Sequence, residues 1–510
     1  MSVNFLHGVE VIEVSNGPAT ITVVKSAVVG LVGTAPSWAV QSPAPAPNTP
    51  SLVSSSRDAA NFGPLIQGYS IPYALAAVQK QGAGQVVVIN VFNPTIHFTA
   101  IVNQTTAFPA TGNQVINLGH MGVSAVVLKN SGGTITYVLG TDYTLDAVNG
   151  LITTKSGGAI TAGEAVEVSF DYADPTKVQD SDIIGAVTGG VYTGIQALQT
   201  TYGTMGFFAK ILIAPGFSQD PTTQAALLTM AQTIRAMALI DAPPATPVAT
   251  AISNRGTAGQ AFDTSSTRAI LCFPQEQFTD TGLVPTGVTI GSGGQALTES
   301  ANATADSPFS QWVAGAMAAK DLAKGYWWSP SNTEITGILG PDVSVYASPV
   351  DPLSDTNNLN AAGIVTVFNA FGTGLRVWGN RSAGYPTVTT PDNFISVRRT
   401  MDVIEESAQL AMLQYVDQPI TNGLIDNIAA SVNAFLRMLI QQGGLIDGTC
   451  TYNPGDNPAS QIANGQLVFE IAIMPPPPAE RLTFNVSLNQ GFLNELGTNV
   501  NNANSQSSNQ

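Results

Sequence analysis

The stretch Ala27-Val28-Val29-Gly30-Leu31-Val32-Gly33 is almost wholly apolar. Alternating apolar and polar side chains mark a strand with one wet face, whereas a short unbroken apolar run marks a strand covered on both faces, as in a parallel sheet between helices. Downstream, Gln85-Val86-Val87-Val88-Ile89-Asn90-Val91 repeats the pattern, after helical spacing over Tyr69–Gln81 that Gly82 and Gly84 close. Apolar runs recur at Lys210–Ala214 and Arg268–Phe273, alternating with helix candidates at Gly194–Tyr202 and Thr222–Ile240. This alternation predicts crossover units and a sheet at least partly parallel. Upstream, Gly8-Val9-Glu10-Val11-Ile12-Glu13-Val14 is a β-type run with no partner strand close behind it, and Ser42–Pro47 is an extended Pro-rich loop.

Between about 95 and 175 the texture turns to Thr, Gly and Val. Strand candidates at Val123–Lys129, Thr134–Val138, Leu151–Thr154 and Ala165–Tyr172 are divided by Ser131-Gly132-Gly133, Asn149-Gly150 and Ser156-Gly157-Gly158, predicting a self-contained β-domain inserted into the α/β one. In the last third, Asp402 with Glu405 reads as a capping box, and Ile404, Ala408, Met412 and Tyr415 recur near helical period. A second helix places Leu424, Ile428, Val432, Phe435 and Leu439 on one face and stops at Gly443-Gly444. Gln466–Met474 reads as a strand ended by Pro475–Pro478, and in Arg481–Leu488 the side chains of Leu482, Phe484, Val486 and Leu488 would all point one way. The Asn/Ser-rich end is expected to be disordered.

The 510 residues suffice for about three or four domains. Charge is scarce: 18 Lys+Arg and 34 Asp+Glu give −16, yet together make only 10% of the chain, against about 25% in ordinary soluble domains. Such a surface suits subunits that cover one another repeatedly, because each interfacial charge must be desolvated or paired. No Lys/Arg cluster points to nucleic acid, no run of about 18 apolar residues points to membrane insertion, and the first thirty residues lack the pattern of a signal peptide. The chain is therefore expected to be cytosolic when made. Cys272 and Cys450 are too far apart in sequence for a metal motif and read as buried hydrophobes. His7, His97 and His120 have no evident partner acid or nucleophile, Gly30–Thr34 lacks the third glycine of a dinucleotide loop, and Asp351 with Asp355 lacks a ligand ladder. Tyr326-Trp327-Trp328 is expected to pack at a core or interface. No cofactor, metal or catalytic residue is expected.

Several segments, taken in order, resemble contractile phage tail sheath proteins of the P2-like and Mu-like myovirus type. They are His7–Val11 through Val28–Ala35, Lys210–Gly216, Gly325–Asn332, Trp378–Arg381, Phe394–Thr400, Asp417–Ile420 and Glu480–Leu482. The resemblance covers roughly 1–92 and 176–490; the stretch near 95–175 departs from the shorter sheath proteins and is similar to variable, outward-facing domains. It implies an α/β and α+β multidomain subunit with an N-terminal strand arm (1–25), an α/β core (26–94 and 176–345), an inserted β-rich outer domain (95–175), a C-terminal α+β inner domain (346–478), a C-terminal strand arm (479–493) and a disordered tail (494–510). It also implies a helical homopolymer of stacked hexameric rings, assembled in the host cytoplasm around a tail tube, with baseplate and tail terminator proteins as further partners. Val9, Val11, Ile12 and Val14, and Leu482, Phe484, Val486 and Leu488, would each extend a neighbour's sheet, since an open strand edge is a template for pairing. Arg398, Arg399, Glu405 and Arg437 are the candidates to face the tube.

Two other classes fit parts of the chain. A carbohydrate-active enzyme would need two carboxylates converging in one cleft, and a small discrete oligomer in solution would favour it. A host-binding tail adhesin is suggested by the Thr/Gly-rich insert, and would require that insert to bind glycan or cell.

Overall fold

The computed structural model describes residues 21–40, 44–284, 291–292, 303–369 and 372–493. β1 (Val28–Gly33) is buried at every residue. Strands β2 (Ser51–Val53) and β3 (Gln85–Asn90) follow, with helices α1 (Ser56–Ala59) and α2 (Ser70–Lys80) between them. The chain then makes β4 (Phe98–Ala107), β5 (Val115–Asn117), β6 (Val123–Asn130), β7 (Thr136–Tyr137), β8 (Tyr143–Asp146), β9 (Leu151–Thr154) and β10 (Ala165–Ala173). It continues through α3 (Asp180–Ile184), the hairpin β11 (Val187–Thr188) and β12 (Val191–Tyr192), and α4 (Thr201–Met205) to β13 (Ile211–Ile213). Then come α5 (Pro221–Thr233), β14 (Met237–Asp241), α6 (Val248–Ser253), β15 (Ala269–Cys272), β16 (Glu276–Asp280), β17 (Gly291–Ser292) and β18 (Ala303–Ser307). After α7 (Phe309–Lys324) lie β19 (Thr333–Glu334), β20 (Gly340–Pro341), α8 (Asp355–Ala361), β21 (Ile364–Asn369) and β22 (Leu375–Trp378). The last part holds α9 (Ile395–Met412), α10 (Asn422–Gln441), β23 (Asp447–Thr451), α11 (Ala459–Ala463) and β24 (Glu470–Met474).

The core is a nine-stranded sheet in the order β19-β22-β21-β15-β14-β13-β1-β3-β2, parallel from β3 to β21 and antiparallel at both rims. Both faces are covered, as the unbroken apolar runs require. Val29 and Leu31 pack with Leu75 of α2 and Val313 of α7 on one side. Val28 and Val32 pack with Leu227 and Met230 of α5 and Leu359 of α8 on the other. Gly30 allows the close approach of its neighbours: a Cβ there would lie 2.8 Å from Leu212 and 2.9 Å from Ala209.

The insert folds as two four-stranded sheets, β4-β10-β6-β7 and β17-β5-β9-β8, around its own core of Ile116, Leu128, Ile152, Val166, Val168 and Phe170. One of its strands comes from elsewhere: β17 pairs Gly291 with Asn117. β4 is absent from the expected strands, because seven of its ten residues, in the pattern eieieeeeie, are exposed and carry little apolar alternation.

Three sequence expectations change. Thr222–Ile240 is not one helix: α5 ends at Thr233 and Met237–Asp241 is a buried strand, an apolar run whose helix-or-strand identity periodicity alone cannot decide. The α/β core does not stop at residue 345, because β21 pairs in parallel with β15 and carries β22 with it. Asp402 does not cap a helix; α9 begins seven residues earlier, and Asp402 lies inside it as a buried ion-pair partner. Residues up to Pro477 form one compact unit, and those from Pro478 a second.

Candidate assembly site

The C-terminal part of the first unit is built on α9 and α10. Val403 and Ile404 of α9 meet Val432, Phe435, Leu436 and Leu439 of α10, with Cys450 and the half-buried Ile473 closing the cluster from β23 and β24. The Asn433 side chain fixes β23 to α10 by accepting from Cys450 N at 2.8 Å and donating to the Cys450 carbonyl at 2.8 Å. Tyr326 is buried here and Trp327 lies against Gly444, where a Cβ would come within 3.1 Å of its ring, while Trp328 is half exposed. α10 is the one helix among the described residues long and apolar enough to cross a membrane, with a mean hydropathy of 1.3; its apolar stripe faces this cluster.

Among the described residues β23 and β24 pair only with each other, from Asp447–Met474 to Thr451–Glu470. This two-stranded sheet is therefore open at both edges, and Ile446, Ile471 and Met474 are exposed on it. A two-stranded sheet on its own is marginal, and an open edge invites another strand.

Beneath this module, the cations at the entries of three adjacent core strands meet α9. Lys210, before β13, pairs with Glu406; burial lowers the Lys210 pKa by more than Glu406 beside it restores. Arg268, before β15, holds Asp402 with both guanidinium nitrogens, at 2.5 and 2.7 Å. Arg235, before β14, reaches Glu405 at 3.2 Å and Gln409 at 2.7 Å. The pairing of these cations with α9 is not visible in the sequence, although each stands immediately or nearly so before an apolar strand.

The candidate tube-facing side chains separate in this arrangement. Arg398 is turned inward, donating to Asp402 at 2.8 Å and Glu405 at 3.0 Å. Arg399, a candidate to face the tube, is 4% exposed in the single chain, its guanidinium sealed between α9 and α7 and paired with Asp321. Glu405 is partly exposed, and Arg437 is exposed on α10 with no ion pair among the described residues.

Val9, Val11, Ile12 and Val14 lie outside the described residues. In the second unit, residues 478–489 have no assigned strand, and Leu482, Phe484, Val486 and Leu488 are between 72% and 97% exposed.

The other residues weighed for chemistry have structural roles. His97 Nδ1 accepts from Asn93 N, and His120 stacks on Tyr172 with ring centres 3.8 Å apart. Asp351 and Asp355 bind the Tyr346 hydroxyl and amide. Cys272 and Cys450 are buried and unpaired, and the described residues contain no group of three or more side chains that could hold a metal ion.

A covered α/β sheet, an inserted β-domain and a C-terminal module of two helices under an open hairpin define the fold of a contractile sheath subunit. It resembles the sheath complex of an extracellular contractile injection system, PVC, in its contracted state, with a TM-score of 0.56 at 16% identity, covering 96% of this chain and 100% of that one. The helical sheath of the anti-feeding prophage (AFP) in its contracted state matches with a TM-score of 0.53 at 16% identity and the same coverage. At the level of sequence, the phage tail sheath central domain matches residues 190–383, the phage tail sheath C-terminal domain residues 388–489, and a family described as a protein of unknown function residues 97–180. The tail sheath protein of Burkholderia phage BcepMu is 44% identical over 496 residues, 97% of this chain and 98% of that protein. The tail sheath protein of Escherichia phage P2 is 29% identical over 322 residues, 63% of this chain and 74% of that protein. The chain belongs to the phage tail sheath family: it is a structural subunit of a contractile phage tail. Its relatives are structural proteins, and neither the carbohydrate-active enzyme nor the adhesin finds support among them.

Proposed function

We propose that this subunit polymerises by exchanging strands with its neighbours and that the exchanged strands keep the sheath joined while it shortens. The observation that carries this reading is the β23–β24 hairpin, which among the described residues is open at both edges, in a chain whose C-terminal segment presents four alternating apolar side chains to solvent. A strand whose backbone groups and apolar face find no partner within its own chain is completed by another copy. Leu482, Phe484, Val486 and Leu488 would extend one edge of a neighbour's hairpin, and Val9, Val11, Ile12 and Val14 the other. Pro475–Pro478, four prolines with no amide donor among them, would act as the spacer that lets the arm leave its own domain.

In this reading, hexameric rings stack around a tail tube into a helical sleeve, assembled in the host cytoplasm between a baseplate and a terminator. The extended lattice is metastable, and a small gain in contact per subunit, multiplied along the tail, drives the tube through the host envelope without a fuel molecule. The tube-facing candidates are the open sides of α9 and α10, with Glu405 and Arg437 the most accessible of the four residues and Arg398 behind them. Weak exposed pairs of about 0–1 kcal/mol suit an attachment that must release.

Deleting residues 1–15 or 479–510 tests the arms. Each truncated chain should remain folded and soluble by circular dichroism and sedimentation, yet form no sleeves under the electron microscope. Normal sleeves from either one would refute the strand exchange.

A further inference from the structure

The core sheet changes its direction of growth at β1: β3 is added on one side and β13 on the other. In open α/β sheets, the crevice outside the carboxyl ends of the strands at such a reversal is where ligands bind. A crevice of 510 Å³ lies there, walled by Pro215–Phe217 after β13, the first turns of α2 and α7, and the β16–β18 ladder. Pockets for small organic ligands run from about 300 to 1,000 Å³.

In nucleotide-binding sheets this position holds a phosphate on free helix amides. Here the amides are already used. Ser70 N donates to Thr34 Oγ1 at 3.1 Å and Ile71 N to the Thr34 carbonyl at 2.9 Å. At α7, Ser310 N donates to the buried Asp241 carboxylate at 2.7 Å. Gly33 abuts Ser70 so closely that a Cβ would fall 2.3 Å from its hydroxyl. Among the described residues no Lys, Arg or His lines the crevice, so none of them offers an anion a counter-charge.

What the crevice offers is the opposite chemistry. Two carboxylates line it, Asp280 and Asp306. Asp280 is fixed by the Tyr73 hydroxyl and the Gln67 amide, each at 2.9 Å, and by Gly282 N at 2.8 Å, and the Asp306 carboxylate makes no hydrogen bond or ion pair among the described residues. Tyr73, Phe217 and Phe278 supply aromatic surface. Gln311 is 2% exposed and lines the crevice, yet its carboxamide has no hydrogen-bond partner among the described residues. Its carboxamide is therefore free to accept from or donate to a group bound in the crevice.

We propose that this crevice binds a small organic cation of the alkylammonium class, as in the natural polyamines. Its ammonium groups sit on Asp280 and Asp306, its methylenes lie against the three rings, where cation–π attraction adds to the contact, and an N–H donates to the Gln311 carbonyl oxygen. The composition gives such a ligand a use, because each subunit carries −16 and a polymer of acidic subunits repels itself.

Calorimetric titration of the full chain with spermidine, at an ionic strength matched by sodium and magnesium chloride, tests the assignment. The expected result is one saturable site per chain that magnesium does not occupy, weakened at least tenfold by Asp306→Asn and by Gln311→Met but unchanged by Asp146→Asn, an exposed acid of the insert outside the crevice. No saturable binding, or binding that both crevice variants leave within twofold, would overturn it. Binding seen only in dissociated chains and lost in assembled sleeves would also overturn it, by giving the crevice to a basic side chain of a neighbouring copy.

Discussion

Asp402 and Glu405 stand one turn apart on α9, and their surroundings set very different consequences for losing them. The Asp402 side chain is 4% exposed and held by both Arg268 and Arg398, whereas that of Glu405 is 41% exposed. Removing one member of a buried pair strands the other charge, so Asp402→Ala should lower stability by about 3–5 kcal/mol. Glu405→Ala should cost about 1 kcal/mol or less. Urea unfolding midpoints of the two variants check the contrast, and equal losses would contradict it. The sequence shows the acids of α9 but not their partners, since Arg268 lies 134 residues from Asp402. Asp241 sets a second expectation. It is fully buried among Ser218 and Ser310, and burial raises its pKa from 3.8 to about 6. Between these values the folded chain keeps a proton that the unfolded chain has lost, so stability contributed at this site falls as pH rises from about 4 to about 6, by roughly 3 kcal/mol, and is flat above. In Asp241→Asn this component of the pH profile should disappear, because the amide does not titrate and both serine hydroxyls can turn to accept from it. A variant that keeps the wild-type slope over that window would assign it to other groups.

At the scale of elements, the insert joins the core where β4 and β10 begin and end side by side. Phe98 pairs with Ala173, and Asp174 N donates to the His97 carbonyl. With its own core in Phe170, Ile152 and Leu128, the insert can be excised at about 95–175 and the gap closed by a short Gly/Ser linker. The expected outcome is a folded core that still assembles; a folded core that no longer assembles would place lattice contacts on the insert. β17 tempers the boundary, since this piece of the β16–β18 connection would lose its partner β5. The central sheet was legible because β1, β3, β13 and β15 are short, unbroken apolar runs, and the insert because Gly-rich turns punctuate it. Met237–Asp241 was not, because an apolar run that closely follows a helix carries the same composition as the helix. The open hairpin was half legible: Leu467 to Ile473 alternates as a strand does, but only the fold shows that the partner, Asp447–Thr451, is polar in sequence and bound to α10 through Asn433.

For the whole molecule, the scarcity of charge restricts what can hold an assembly together. Lys210, Arg235, Arg268, Arg376, Arg398 and Arg399 are paired with acids inside the chain. Arg255 is surrounded by the backbone carbonyls of Phe262, Thr264, Ala362, Ala383 and Tyr385. Eleven of the 18 basic residues stand outside these contacts, against 34 acids and a net charge of −16 on each chain. If copies are joined chiefly by strand pairing and apolar contact, salt opposes assembly very little and screens the repulsion between acidic neighbours, since the Debye length shrinks from about 10 Å at ~0.1 M to about 3 Å at ~1 M. The fraction of chain sedimenting as sleeves should accordingly hold or rise as sodium chloride increases over that range, and the Asp306→Asn and Glu405→Ala variants should follow the same trend. Sleeves that dissolve at moderate salt would show instead that ion pairs between copies carry the lattice, and the open hairpin would then have to find its partners some other way.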